Sequence, residues 1–148
     1  MKKIFLSLMF TFIMLSGSFC QAAEKYAYVE LSSIMNNYLY AKNVSQNVKN
    51  KEAEIEKFLK SQNALIEKAK NQTEKKALEK KAADELNKKI SALKAYNVAE
   101  LKKIETNLTN AISVVAKKEG YTLVLSNKSV LFGASDITSK VLTELNKK

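Results

Sequence analysis

The stretch Lys70-Asn71-Gln72-Thr73-Glu74-Lys75-Lys76 decides the fold. It holds no apolar residue, and it interrupts a regular pattern. Before it, apolar side chains recur at three-to-four spacing: Val44, Val48, Ile55, Phe58 or Leu59, Leu65 and Ala69. After it they resume with Leu78, Ala82, Leu86, Ile90, Leu93, Leu101, Ile104, Leu108, Ala111 or Ile112, and Val115. So narrow a stripe is the seam of a coiled coil rather than the broad face of a globular helix. Asn71 with Glu74 three residues on is a capping-box pattern, which satisfies amides left free at a helix start. One unbroken helix is the competing reading, but an internal cap in so long a periodic run favours two. The sequence therefore predicts an antiparallel coiled-coil hairpin over 43–118, with its tip near 71–74. Its second helix would be roughly 65 Å long at about 1.5 Å per residue.

Outward from the hairpin the text changes. Lys117 and Lys118 suit the negative end of a helix, and Gly120 follows where a left-handed residue is wanted. Tyr121 to Leu125 reads as a buried strand, Ser126 to Ser129 as a turn, and Val130-Leu131-Phe132 as the second strand of a hairpin. Ser135 or Asp136 would cap a last helix carrying Ile137, Val141, Leu142 and Leu145 on one face. On the other side, Lys25 to Leu31 reads as a strand with Ala27, Val29 and Leu31 on one face. Ser32-Ser33 would cap a short helix, and a break is expected near Leu39 to Lys42. Asn43 with Gln46 would then start the first arm. Segments 23–42 and 119–148 thus form one small head, into which the hairpin is inserted. Three strands and a short helix bury too little to stand alone, and their edges invite pairing. An oligomer is expected. The fold class is mainly α with a small β part.

The chain of 148 residues opens with a leader. Met1-Lys2-Lys3 is basic, Ile4 to Leu15 is apolar but for Ser7 and Thr11, and Cys20-Gln21-Ala22 offers small residues for cleavage after Ala22 or Ala23. A membrane anchor would need about 20 apolar residues. Lipidation of Cys20 would want a small residue where Phe19 stands. Residues 1–22 therefore read as a secretory signal peptide directing the chain to the periplasm or beyond.

Composition removes most chemistry. All 25 basic residues are Lys, and there is no Arg, His, Trp or Pro, with one Cys and three Gly. No histidine triad, imidazole metal site, CxxC pair or phosphate loop can be built. No catalytic residue, metal or other cofactor is expected, and the protein does not read as an enzyme. The charge is unevenly placed: residues 42–118 carry 18 Lys against 10 acids, while 24–41 and 119–148 stand at −1 and +1. Some of it supports helices locally, as in Glu56 to Lys60, Asp84 to Lys88 and Glu85 to Lys89. The surplus should draw acidic partners such as anionic lipid surfaces or unfolded proteins. Nucleic acid is not expected as a partner, because the leader keeps the chain from it and no Arg reads base edges. Residues beside the seam, such as Ile66, Ala77 and Tyr96, would leave apolar spots on the arm.

The whole chain resembles the Skp (OmpH-like) family of periplasmic chaperones. The likeness lies in the leader, the strand Tyr26-Ala-Tyr-Val-Glu-Leu31 and the charged hairpin. It continues in Gly120 running into Tyr-Thr-Leu-Val-Leu, and in Ser135-Asp-Ile-Thr138 opening a final amphipathic helix. The resemblance implies a homotrimer with a shared β-barrel-like body and three arms around a cavity. It also implies ATP-independent holding of unfolded outer-membrane proteins in the periplasm. Val29, Leu31, Leu123, Leu125, Val141 and Leu145 would then carry trimerisation. Lys60, Ile66, Lys68, Lys81, Lys88, Lys89 and Tyr96 would be client contacts on the arm. The family is also linked to lipopolysaccharide through basic residues; with no Arg here, only Lys could serve, and no such site is assigned. The rival reading is a coiled-coil spacer or adaptor of the cell envelope, docking one folded partner at Thr73 to Lys76.

Overall fold

The computed structural model describes residues 24–147. The expected leader, with Cys20 and the cleavage residues Ala22 and Ala23, lies outside them. The described chain is mainly helical with a small strand part. The elements are β1 (Tyr26–Val29), α1 (Leu31–Asn37), α2 (Leu39–Glu67), α3 (Gln72–Glu119), β2 (Leu123–Ser126), β3 (Ser135–Asp136) and α4 (Thr138–Leu145).

The turn between α2 and α3 follows from its residues. Asn71 Oδ1 accepts the Glu74 amide at 2.9 Å, and Glu74 Oε2 accepts the Lys70 amide at 2.9 Å. Two free amides at the start of α3 are thereby satisfied by side chains. The turn occupies 68–71, slightly earlier than the sequence placed it. The two helices then pack antiparallel. Tyr40 bonds Glu100, Asn47 donates to Tyr96 at 3.4 Å, and the Lys89 ammonium lies 5.2 Å from the Phe58 ring centre. As the α2 partner rises from 40 to 58, the α3 partner falls from 100 to 89. With 48 residues, α3 runs for roughly 72 Å. It ends as expected on Gly120, whose φ of 74° is left-handed, with Lys117 and Lys118 in its last turn.

The base differs from expectation in three ways. First, the strand stops at Val29, and Leu31 opens α1. Second, the break in the helix falls at Tyr38, and α2 begins at Leu39 rather than near Asn43. The reason is a cap in trans: Asn146 Oδ1 accepts the Leu39 amide at 3.0 Å, while its Nδ2 donates to Asn37 O at 3.2 Å. Third, no strand forms over 130–132. Asn127–Ser129 closes into a 3₁₀ turn, with Ser126 Oγ accepting the Lys128 amide at 3.4 Å and Val130 N donating to Asn127 O at 3.3 Å. That turn sends the chain across the sheet instead of back along β2. The sheet order is β2-β1-β3 and both pairings are parallel, so no hairpin exists among the described strands. Ser135 is in β3, whereas Asp136 does serve the last helix, accepting the Thr138 amide at 2.8 Å.

One core joins these pieces. Ala27 and Val29 on one sheet face meet Ile34 of α1, Val115 of α3, and Val141 and Leu145 of α4; Ile137, just before α4, completes the cluster. Thr138 ties α4 to the sheet by accepting the Glu30 amide at 2.9 Å.

Candidate functional site

The two long helices differ from the base in what they bury. Between Val44 and Glu100 no described residue is fully buried. Phe58, Ile66, Leu86, Ile90, Leu93 and Tyr96 are half-buried along the line where the helices touch. A pair of helices covers each stripe from one side only, so its apolar residues keep one flank in water. Outside the contact line, Leu59, Leu65, Val98 and Leu101 are exposed.

Several seam assignments therefore change, and Tyr96, expected beside the seam, lies on the contact line, bonded by Asn47. Ile66, expected beside the seam, lies on the contact line, and Leu65, expected on it, does not. Likewise Leu101 is exposed, while its neighbour Glu100 turns inward and is buried. Glu100 is buried because it is bonded: Tyr40 O–H donates to Oε2, and Lys103 Nζ donates to Oε1 at 2.8 Å. The Lys103 bond, then the Tyr40 bond, hold the Glu100 carboxyl below the usual carboxylate range, against the opposing effect of burial. The same carboxylate pushes the Tyr40 hydroxyl and the Lys103 ammonium upward. A ring pair, Tyr38 on Tyr40 at 5.9 Å, continues this polar clasp toward Asn107, whose Nδ2 donates to the Tyr38 hydroxyl at 3.1 Å.

The lysines named from the sequence are all exposed: Lys60, Lys68, Lys81, Lys88 and Lys89. They are not equivalent. Lys60 pairs with Glu56 at 2.7 Å, which lowers the Glu56 carboxyl. Lys89 lies over Phe58 instead of pairing with Glu85, and Lys51 lies 5.1 Å from the centre of the Tyr96 ring. Both are cation–π contacts that bridge α2 and α3. Among the described residues, Glu56 and Glu100 are the acids of 42–118 that form ion pairs, so most of the positive surplus there is open to solvent.

The residues named for the head divide as well. Val29, Val141 and Leu145 fill the chain's own core. Leu125 is half-buried, and Leu31 and Leu123 are 42% and 46% exposed. The sequence reading missed Leu131 and Phe132, which are more exposed than any other large apolar side chain among the described residues. Among those residues no helix is long and apolar enough to cross a membrane, and no group of three or more His, Cys, Asp or Glu could hold a metal ion.

Long, basic, thinly packed helices stand on a small parallel sheet. Comparison with known proteins gives the family. The profile described as "Outer membrane protein (OmpH-like)" matches residues 25–145, and the chain belongs to that family. It is also 27% identical, over 164 aligned positions, to the chaperone protein Skp of Photorhabdus luminescens, covering 98% of this chain and 99% of that protein.

Proposed function

We propose that this protein is an ATP-independent holdase chaperone of the periplasm. After loss of residues 1–22 it would act as a homotrimer. Segments 23–42 and 119–148 would build a shared barrel-like head, and the coiled-coil hairpins 43–118 would be arms around a client. The clients are unfolded outer-membrane proteins. The observation that carries this reading is the surface of the long helices: a Lys surplus of 18 to 10 spread among exposed apolar side chains, with no fully buried residue between Val44 and Glu100. Such a surface suits a chain with no fixed shape. Open lysines attract acidic segments over about 8 Å at physiological salt, and scattered leucines add weak contacts that sum through multivalency. Anionic lipid or lipopolysaccharide would meet the same lysines. Family membership and the likeness to a chaperone support this.

The test is client holding. A urea-unfolded outer-membrane β-barrel protein is diluted into buffer with the purified protein at one trimer per client, and light scattering is followed. Suppression is expected here and not with a Lys-rich soluble coiled coil of equal charge. Equal scattering with and without the protein, from a confirmed oligomer, would overturn the holdase reading and leave the envelope spacer.

A further inference from the structure

The stripe of α3 that meets α2 carries Tyr96, Glu100 and Asn107, bonded in turn to Asn47, Tyr40 and Tyr38. It continues at helical spacing to Asn110, Ala111 and Val114. There α2 no longer lies opposite, because it begins at Leu39, and the C-terminal end of α4 takes its place. Between the three helices lies a cleft of about 340 Å³. That volume is within the range of ligand pockets.

The walls are mixed in a particular way. Ala111 and Leu145 are buried, whereas Leu39 of α2 is 58% and Val114 of α3 49% exposed, and all four line the cleft. Large apolar side chains left in water on the walls of a cleft favour an apolar occupant. The polar groups beside them are amides. Asn110 lines the cleft, and its side chain makes no hydrogen bond among the described residues. Asn107, one turn away on the same face, is held by its 3.1 Å bond to Tyr38, and its Oδ1 can accept from a ligand. Asn146 is pinned by its bonds with Leu39 and Asn37, so this wall is set before anything binds.

Charge narrows the occupant. No described lysine lines the cleft, in a chain that has 25. The charged group on its wall is the Glu144 carboxylate, which accepts from Lys147 at 2.6 Å. An acidic segment drawn to the lysines of the long helices is therefore repelled here, and an uncharged one is not. A side-chain amide is well matched to a peptide group, since each offers the other an N–H donor and a carbonyl acceptor. The cleft also prolongs the contact line of the helices to which clients are assigned. We propose that it is a client subsite, taking one aromatic or large aliphatic side chain of the unfolded chain between Leu39 and Val114 while Asn110 and Asn107 bond the peptide groups beside it. This rests on the holdase reading and adds a fixed anchor to it. The lysines govern how fast a client arrives, and the cleft governs how slowly it leaves.

The test measures capture and release of a labelled, urea-unfolded outer-membrane protein by the chain without its leader. Val114→Trp fills the cleft, and Asn110→Asp puts a second carboxylate in it. Both should keep the capture rate within about twofold, and they should release the client about tenfold and about fivefold faster. Thr109→Trp, which adds the same bulk to α3 outside the cleft, should release at the wild-type rate. Circular dichroism and sedimentation check folding and assembly. Should the cleft variants not fold, nuclear magnetic resonance of wild type decides. N-acetyl-Gly-Phe-Gly-amide should shift amides at 38–40 and 107–114 saturably, and the Gly-Glu-Gly analogue should not. Wild-type release from folded cleft variants, or no such shifts, overturns the subsite and leaves the holdase standing. A Val114→Trp chain that changes its oligomer and not its release gives the cleft to a neighbouring copy and overturns the subsite as well. A wild type that holds no client overturns the holdase reading, and the subsite with it.

Discussion

Glu100 is the residue at which pattern and physics part. A carboxylate on a helix contact line is costly to bury unless it is bonded on both oxygens. Here Lys103 and Tyr40 take one oxygen each, with Tyr96 close enough to Tyr40 and Lys103 to be felt electrostatically. The lowered carboxyl makes a prediction with a definite sign. A carboxyl whose folded value lies below its unfolded 4.5 adds stability that is present above that value and is lost as pH falls through the folded one. Glu119, lowered by its bond from Lys140, and Asp136, lowered by its bonds from Thr138, add to the same trend. Thermal melts should therefore lose Tm as pH drops from 5 to 3, and Glu100→Gln should flatten part of that loss while leaving the melt at pH 7 lower than wild type. The raised Tyr40 hydroxyl works on the other side, its contribution being lost as pH rises beyond 10. A Glu100→Gln melt that tracks wild type at every pH would dismiss the clasp as incidental.

At the scale of elements, the stabilising features fall into near and distant ones, and the difference governs what the sequence can disclose. The α3 start is local: Asn71 and Glu74 are three residues apart, so the cap is readable and the structure contains it. Gly120 ends α3 for an equally local reason. The α2 start is not local. Its cap, Asn146, lies 107 residues away in sequence from Leu39, and no spacing rule reaches that far. The run Val130-Leu131-Phe132 misled because an apolar triplet is strand-like in isolation; the 3₁₀ turn at 127–129 carries it away from the open edge of β2, its expected partner. Asn71→Ala should cost about 1 kcal/mol, felt as faster amide exchange at 72–76 with little change in the global melt, because the tip opens without the core. Ile34→Ala, by contrast, empties a side chain with no exposure in the core under the sheet. It should cost about 2–5 kcal/mol in a denaturant midpoint, with the slope unchanged. Equal effects from the two variants would mean that tip and base unfold as one unit.

For the whole molecule, the contrast between a buried base and a half-buried helix pair carries the functional argument. The charge map was legible because it needs only counting. The distinction among lysines was not, since it depends on which neighbour each finds across the helices. Lys60 is spent on Glu56, and Lys89 is held over Phe58. Lys68, Lys81 and Lys88 are exposed and make no ion pair among the described residues. On the proposed holdase function, replacing these three by Gln should slow client capture by about tenfold at low salt, since steering scales with open charge. The effect should shrink as ionic strength rises and the screening length falls from about 10 Å at 0.1 M to about 3 Å at 1 M. Lys60→Gln should do far less, because it lowers the charge of the helices by one where the triple variant lowers it by three. Stopped-flow fluorescence of a labelled client, recorded across salt for both variants, separates the cases. If Lys60→Gln slows capture as much as the triple variant, the open-charge account fails, and holding must be assigned to the exposed leucines and to Val98 instead.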